Sequence, residues 1–296
     1  MAAPSYLERL AARSVAVGSV LCLGLDPDPA ALPAGFSADL AGAEAFARLV
    51  LDAAVQYAAA VKPNLAFFEA FGSDGLAALE RLRASIPSDV PVVMDAKRGD
   101  IGTTAARQAV ALFDRLGADA VTASPYLGAE AIGPLLERTD RFAYILCRTS
   151  NPGAGELQDL VVEADAVTGA PAEPLWARVA RRAAGWGPGG TVGLVVGATA
   201  SAEIGAIRSI APGLAFLVPG IGAQGGAIEP VLADGRARLA PAGPARGGGL
   251  LVNISRGIAG AFGGVSGEPG ERAAVDPGDR IAAAAAEWAS RLPVLS

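Results

Sequence analysis

Residues 90–102, VPVVMDAKRGDIG, begin as an apolar, β-branched run and end in a cluster of charged residues and glycines. The run is typical of a buried strand, which we predict over Val90–Lys97. Similar runs occur along the rest of the chain and are apolar on both faces, as expected of parallel strands covered by helices. The other predicted strands are Val20–Leu25, Ala60–Leu65, Asp119–Pro125, Phe142–Ser150, Thr191–Ala198, Leu214–Ile221 and Gly249–Arg256.

Segments with helical spacing lie between these strands. Eight strands that alternate with helices over 296 residues favour an α/β structure, a (β/α)8 TIM barrel forming a single domain over residues 1–296. A doubly wound open sheet is the alternative, but no G-x-G-x-x-G motif follows the first strand. The predicted helices are Ala43–Ala58, Gly75–Ser85, Thr103–Leu116, Ala129–Arg138, Leu175–Trp186, Ala202–Ser209 and, last in the chain, Gly278–Arg291.

Two connections are long, at about 151–174 and 224–248. Both follow the carboxyl ends of predicted strands, where barrel enzymes build active sites and lids. We expect these two loops to lie at the mouth of the barrel. For the first loop, a tolerated surface insertion is the alternative interpretation.

Composition excludes several kinds of chemistry. The formal net charge is −6, which argues against nucleic acid as a partner, because binding it needs a basic surface. The chain contains no histidine, so Ser-His-Asp and Cys-His catalysis and imidazole metal ligands are impossible. Proton transfer must then fall to lysine, aspartate, glutamate, tyrosine or cysteine.

The cysteines and the N-terminal apolar run bear on location. Cys22 and Cys147 both lie in predicted buried strands, and we expect reduced thiols in a cytoplasmic protein. The run Val15–Leu25 follows two arginines and could be mistaken for a signal peptide. It is too short to span a membrane, and it ends in DPDP rather than in the small residues of a cleavage site. We therefore interpret it as a buried first strand, and we expect no membrane partner for the protein.

The charges that end the strand at Val90–Lys97 are the main candidates for chemistry. In an extended strand residues two apart face the same side, so Asp95 and Lys97 should both face the barrel interior at its mouth. Asp100 follows after Gly99, where the chain can turn. Burying opposite charges together is costly, which favours a functional site, although an ion pair with a structural role is the alternative.

Two further charges end neighbouring strands. Lys62 lies within the second predicted strand, and Asp26 ends the first. Alone, Lys62 could be an edge lysine and Asp26 a turn residue before proline. Together with Asp95 and Lys97, they would form an array of alternating charges that lines one cavity.

The ends of the last two predicted strands suggest a phosphate site. Residues 219–226, PGIGAQGG, follow the seventh strand, and residues 255–257, SRG, follow the eighth. Barrels often bind phosphate at these two positions, where backbone N–H groups and an arginine suit a dianion. Ordinary glycine-rich turns are the alternative.

Taken together, these segments resemble those of the orotidine 5′-phosphate decarboxylase family. Residues 95–102, DAKRGDIG, are similar to its signature, in the form found in a longer bacterial subgroup, whereas the commoner pattern is Lys-Phe-x-Asp. The resemblance covers about residues 21–260. Other family motifs match, in order, at residues 62–64, 150–154, 219–226 and 253–257.

The resemblance implies a carboxy-lyase that converts orotidine 5′-phosphate (OMP) to UMP and CO₂, the last step of UMP synthesis, without cofactor or metal. It implies a homodimer with shared active sites, in which Lys62, Asp95 and Lys97 act in one subunit and Asp100 reaches in from the partner. Lys97 would protonate C6 of the pyrimidine, Asp95 would lie near the substrate carboxylate, and Lys62 would contact Asp95 and the ribose.

The resemblance also implies a set of substrate-binding residues. Asp26 would bind ribose, Ser150 the pyrimidine, and Gln224 and Arg256 the phosphate. The full predicted set is Asp26, Ile101, Thr104, Ser150, Pro219, Gly222, Gln224, Ser255 and Arg256.

The same residues are compatible with three alternative functions. The D-x-K-x-x-D motif is shared by a wider group of barrels, including sugar-phosphate decarboxylases and aldolases that would use Mg²⁺. A Schiff-base aldolase would use Lys62 or Lys97 covalently. A non-catalytic nucleotide-binding barrel would bind UMP without turning over OMP, and the presence of Asp95, Lys97 and Asp100 argues against it.

Overall fold

Eight parallel strands form the centre of the computed structural model, which describes residues 4–222, 225–238, 246–263 and 276–295. The strands are β1 (Leu21–Leu25), β2 (Ala60–Pro63), β3 (Val93–Arg98), β4 (Ala120–Ala123), β5 (Phe142–Arg148), β6 (Val192–Val196), β7 (Ala215–Val218) and β8 (Leu251–Ile254). Their order is β2-β1-β8-β7-β6-β5-β4-β3.

The two ends of this order meet. Parallel bridges join Val61 to Val92 and Asn64 to Asp95, so β2 lies beside β3 and the sheet curls into a barrel. The predicted (β/α)8 fold is confirmed. Each predicted strand contains an observed one, except that β3 runs one residue past its predicted end, to Arg98. Most observed strands are shorter than predicted, because the apolar runs continue into turns where the backbone leaves the ladder of hydrogen bonds.

Helices surround the barrel. Their bounds are α1 Tyr6–Val17, α2 Leu40–Ala54, α3 Ala66–Glu69, α4 Gly72–Ser85, α5 Gly102–Ala109, α6 Ala129–Leu136, α7 Gly155–Gln158, α8 Leu175–Ala183, α9 Ser201–Ile210, α10 Glu229–Asp234, α11 Arg256–Ala259 and α12 Pro277–Arg291. A π-helical turn, Val110–Arg115, extends α5. Each of the seven predicted helices overlaps an observed one, and at least one end of each is shifted.

Helix α1 corrects the interpretation of Val15–Leu25 as one strand. The first residues of that run form the last turn of α1, which ends at Gly18 in the left-handed conformation, at φ 68°. Glycine is favoured there because it has no Cβ to clash with the preceding turn. The strand itself begins only at Leu21.

Helix α1 also closes the amino-terminal end of the barrel. Its Tyr6 stacks on Phe142 of β5, with ring centroids 4.9 Å apart, and the Tyr6 hydroxyl lies 3.1 Å from that of Tyr144. Leu10 joins the same buried cluster. This apolar layer fills the barrel interior at its amino-terminal end, so we expect a ligand to enter from the carboxyl ends of the strands.

The two long connections contain regular structure. Between residues 151 and 174 lie α7 and a short antiparallel pair, Val161–Val162 with Glu173–Pro174. Buried Glu173 forms ion pairs with Arg178 and Arg181 of α8, at 2.8 and 2.9 Å. The second connection contains α10, while residues 224 and 239–245 lie outside the described part of the chain.

None of the helices in the described ranges is both long enough and apolar enough to cross a bilayer.

Candidate active site

The end of β3 departs from regular strand geometry. Lys97 has φ 48°, and it is the one non-glycine residue with positive φ in the described ranges. The pairing of β3 with β4 shifts register between Met94 and Arg98. A Cβ on Gly99 would lie 2.8 Å from the carbonyl oxygen of Ser124, so only glycine lets the chain pass β4 this closely. The sequence therefore builds an irregular strand end at the mouth of the barrel.

Three charged side chains meet at this irregular end. The Lys62 ammonium lies 2.9 Å from Oδ2 of Asp95, and the Lys97 ammonium lies 2.6 Å from Oδ1. Asp95 and Lys97 face the same side, as predicted, although Lys97 is left-handed and not in an ideal strand. The sequence contains only these two lysines, and both contact the same carboxylate.

The two lysines differ in access. The Lys62 side chain is 5% exposed, whereas that of Lys97 is 52% exposed. A ligand at the mouth can therefore reach the ammonium of Lys97, while Lys62 supports Asp95 from within the barrel.

Electrostatics keep Lys62 and Asp95 ionised. Burial acts to lower the pKa of Lys62, but the charges of Asp95 and Asp26 outweigh it, and the pKa is raised above the ordinary value. Burial acts to raise the pKa of Asp95, but Lys62 and Lys97 prevail and hold it well below its usual range. Near neutral pH Asp95 is thus a carboxylate and Lys62 an ammonium. A charge pair this deep is costly to desolvate.

Thr122 of β4 belongs to this cluster, and sequence reasoning missed it. Its hydroxyl donates to Oδ1 of Asp95 at 2.9 Å and accepts from the backbone N–H groups of Ala96 and Lys97, each at 3.0 Å. The available signal was a polar residue within the apolar stretch Ala120–Ala123.

Asp26 lies at the end of β1, on the wall of a neighbouring cavity. This cavity has a volume of about 820 Å³, and Asn64, Ser255 and Arg256 line it too. Oδ1 of Asp26 is buried and has no hydrogen-bond partner among the described residues. A Cβ on Gly24 would lie 2.7 Å from that of Ser255, so glycine here lets β1 and β8 approach closely. Asp26 therefore presents a free acceptor to a ligand.

The described part of the predicted phosphate region follows β7 directly. Gly220 and Gly222 both have positive φ, at 98° and 77°, and the Gly226 N–H donates to the Gly220 carbonyl at 3.0 Å. The carbonyl oxygen of Pro219 accepts from the N–H of Ala198 at 2.8 Å, which ties this segment to the end of β6. Gln224 lies outside the described residues.

Trp288 of α12 supports this region and was not predicted. Its indole N–H donates to the carbonyl oxygen of Gly257 at 3.2 Å, and a Cβ on Gly222 would lie 3.4 Å from its ring. The last helix thus contacts the segments that follow β7 and β8. The side chain of Arg256, at the start of α11, is exposed and makes no ion pair within the described part of the chain.

Ser150 follows β5 and packs against β6. A Cβ on Gly197 would lie 2.6 Å from the backbone nitrogen of Ser150, and the Thr199 hydroxyl donates to the Ser150 carbonyl at 3.2 Å. The structure thus places Ser150 at the carboxyl ends of the strands, which is the same end of the barrel as the charged cluster.

Asp100, Ile101 and Thr104 are not brought into the cluster of their own chain. The Asp100 carboxylate accepts from the Ile101 N–H at 2.7 Å, and among the described residues it has no ion-pair partner. Ile101 and Thr104 are exposed. Tyr126 and Leu127, which follow β4, are also exposed, at 84% and 51%, and leave apolar surface at the mouth.

No group of three or more cysteine, aspartate or glutamate side chains in the described ranges is arranged to hold a metal ion.

Comparisons with known proteins agree on one family. The model of the orotidine 5′-phosphate decarboxylase / HUMPS family matches residues 19–265. The orotidine 5′-phosphate decarboxylase of Herpetosiphon aurantiacus is 45% identical over 262 residues, which are 88% of this chain and 91% of that protein. The Thermomicrobium roseum protein of the same name is 44% identical over 256 residues, or 86% of each chain. The structure of Leishmania donovani OMP decarboxylase superposes on this one with a TM-score of 0.77 and a sequence identity of 38%. The match covers 97% of this chain and 96% of the Leishmania chain.

Proposed function

Because the chain belongs to the orotidine 5′-phosphate decarboxylase family, we propose that it converts OMP to UMP and CO₂, with Lys97 as the proton donor to C6. The observation that carries this proposal is the array formed by Lys62, Asp95 and Lys97 at the mouth of the barrel. Loss of CO₂ from C6 leaves a carbanion in the plane of the ring, which no adjacent carbonyl can stabilise by resonance. A fixed ammonium stabilises that charge as it develops and then supplies the proton.

The array suits this chemistry because its members are held before substrate arrives. Both oxygens of Asp95 are engaged, one by Lys62 and the other by Lys97 and Thr122. The carboxylate therefore keeps the Lys97 ammonium in place and carries negative charge beside the expected position of the substrate carboxylate. Repulsion between the two carboxylates is relieved as CO₂ leaves, and Lys97 remains beside C6.

Binding of the phosphoribosyl part falls to the neighbouring cavity. Arg256 offers an exposed guanidinium, which can bind two phosphate oxygens at once. The unpaired oxygen of Asp26 can accept a hydrogen bond from a ribose hydroxyl. These contacts lie away from C6, and their binding energy can offset the burial of charges at the reacting carbon.

The exposed apolar residues favour a homodimer with shared sites. Ile101, Tyr126 and Leu127 all follow the carboxyl ends of β3 and β4, and large apolar side chains in such a group are typical of protein interfaces. Asp100 lies directly before Ile101. In the proposed dimer, this carboxylate enters the partner's site and stands beside the partner's Lys97.

We place the enzyme in the cytoplasm. Cys22 and Cys147 are free and buried, which suits a reducing compartment.

Catalysis without a metal gives the first test. OMP conversion, followed by ultraviolet absorbance, should be unaffected by EDTA, because the oxygens of Asp95 are engaged by ammonium and hydroxyl groups and are not offered to Mg²⁺. Complete loss of activity in EDTA, restored by Mg²⁺, would contradict the proposal and favour a sugar-phosphate enzyme of the same superfamily.

Phosphate recognition by Arg256 gives a second test of the proposed function. Calorimetry should show that Arg256→Ala weakens UMP binding by about 10- to 100-fold, the size expected for a lost charge-assisted hydrogen bond, and leaves uridine binding nearly unchanged. Arg115→Ala, at an exposed position outside the site, is the matched control and should bind both ligands as the wild type does. Equal losses for UMP and uridine would show that Arg256 does not contact phosphate.

A further inference from the structure

Thr122 is 2% exposed and uses every hydrogen bond that a hydroxyl can make. A hydroxyl has one proton to donate and two lone pairs that accept. The Thr122 proton goes to Oδ1 of Asp95, and its lone pairs receive the N–H groups of Ala96 and Lys97. A single side chain on β4 therefore contacts the catalytic carboxylate and the backbone of the proposed proton donor.

These contacts occur where the backbone hydrogen bonds between β3 and β4 are interrupted. Pairing between β3 and β4 runs through Met94 and resumes only at Arg98, which pairs with Ala123. The N–H groups of Ala96 and Lys97 fall in the interval, and the Thr122 hydroxyl takes the place of a ladder carbonyl for both. Without it, two N–H groups in the wall of the barrel would need new partners.

The same interval contains the left-handed Lys97. Positive φ is disfavoured for a residue with a Cβ and persists only where the surrounding structure holds it. The backbone N–H of Lys97 donates a hydrogen bond to the Thr122 hydroxyl. The Lys97 ammonium donates one to Oδ1 of Asp95, the same oxygen that accepts from Thr122. The Thr122 hydroxyl therefore holds the backbone of Lys97 directly and the Lys97 ammonium through Asp95.

We propose that Thr122 is a positioning residue for decarboxylation, which sets the direction of the Lys97 ammonium by fixing its backbone and by orienting Asp95. The inference rests on the proposed function of Lys97. It assigns to Thr122 no contact with substrate, so its loss should affect turnover far more than ligand affinity.

Three substitutions separate the hydroxyl from the shape of the side chain. Thr122→Val keeps the shape and removes all three hydrogen bonds, Thr122→Ser keeps the hydroxyl, and Thr122→Ala leaves room for water. We expect kcat to fall by about 10- to 100-fold in Thr122→Val, the usual cost of a small misplacement of a reacting group, with UMP affinity almost unchanged. Thr122→Ser should keep most of the activity.

Because the chain has only two lysines, the position of the Lys97 side chain can be followed by NMR. Protein labelled with ¹³C at lysine Cε should give two signals, from Lys62 and Lys97, and Lys97→Ala assigns them. In Thr122→Val the Lys97 signal should shift, whereas Thr122→Ser should resemble the wild type. A purely structural threonine would lower thermal stability and leave the Lys97 signal where it was.

Unchanged kcat and an unchanged Lys97 signal in folded Thr122→Val would overturn the proposal. If that variant does not fold, Thr122→Ala is compared with Thr122→Ser, and equal kcat values and equal Lys97 signals overturn it as well. An inactive wild type would contradict the proposed function instead, and the lysine signals would still show whether Thr122 orients Lys97.

Discussion

Lys97→Ala should reduce kcat by more than about 1,000-fold, or roughly 4 kcal/mol of transition-state stabilisation, while the protein stays folded. Lys97 is the exposed member of the pair of lysines at Asp95, and Lys62 is too buried to take its place. Without the Lys97 ammonium, the carbanion at C6 loses both its stabilising charge and its proton. Turnover of OMP and binding of UMP should be measured together.

Lys97→Arg separates charge from proton donation. A guanidinium keeps the positive charge, but its pKa is too high for it to release a proton readily near neutral pH. This variant should bind UMP and remain inactive, whereas the surface control Arg115→Ala should turn over normally. If Lys97→Ala retains more than a few per cent of kcat, Lys97 is not the acid.

The barrel was predictable because its strands are apolar on both faces and recur between helical segments. The ends of the elements were less predictable. The apolar character of Val15–Leu25 continues from α1 into β1, and only the left-handed Gly18 separates them. Short helices such as α3 and α11 were missed because four residues are too few to show helical periodicity.

The charged residues of the site were predictable for a different reason. A lysine or aspartate in an apolar strand is costly unless it is paired, so Lys62 and Asp95 stand out in the sequence. Thr122 and Trp288 do not, because a threonine in a strand and an aromatic residue on a helix are both common in packed structures. The left-handed Lys97 was also unpredictable, since nothing in its identity favours positive φ.

Activity should return when two inactive variants are mixed, if each site draws on both subunits. In the proposed dimer a site needs Lys97 from one chain and Asp100 from the other. Equimolar Lys97→Ala and Asp100→Ala chains, allowed to exchange, form mixed dimers in which one site carries both lesions and the other carries neither. Random pairing makes half of the dimers mixed, so about a quarter of wild-type activity should appear, as two-fold symmetry requires.

The geometry of a single chain explains why this outcome is informative. The Asp100 carboxylate is bonded to the Ile101 N–H and, within the described ranges, has no ion pair with the Lys97 only three residues earlier. A carboxylate that served its own subunit would have to turn back towards that lysine, and the mixture would then stay inactive. Native mass spectrometry establishes whether mixed dimers have formed, and the same mixture kept from exchanging is the control. Mixed dimers without recovered activity would show that Asp100 acts within its own chain.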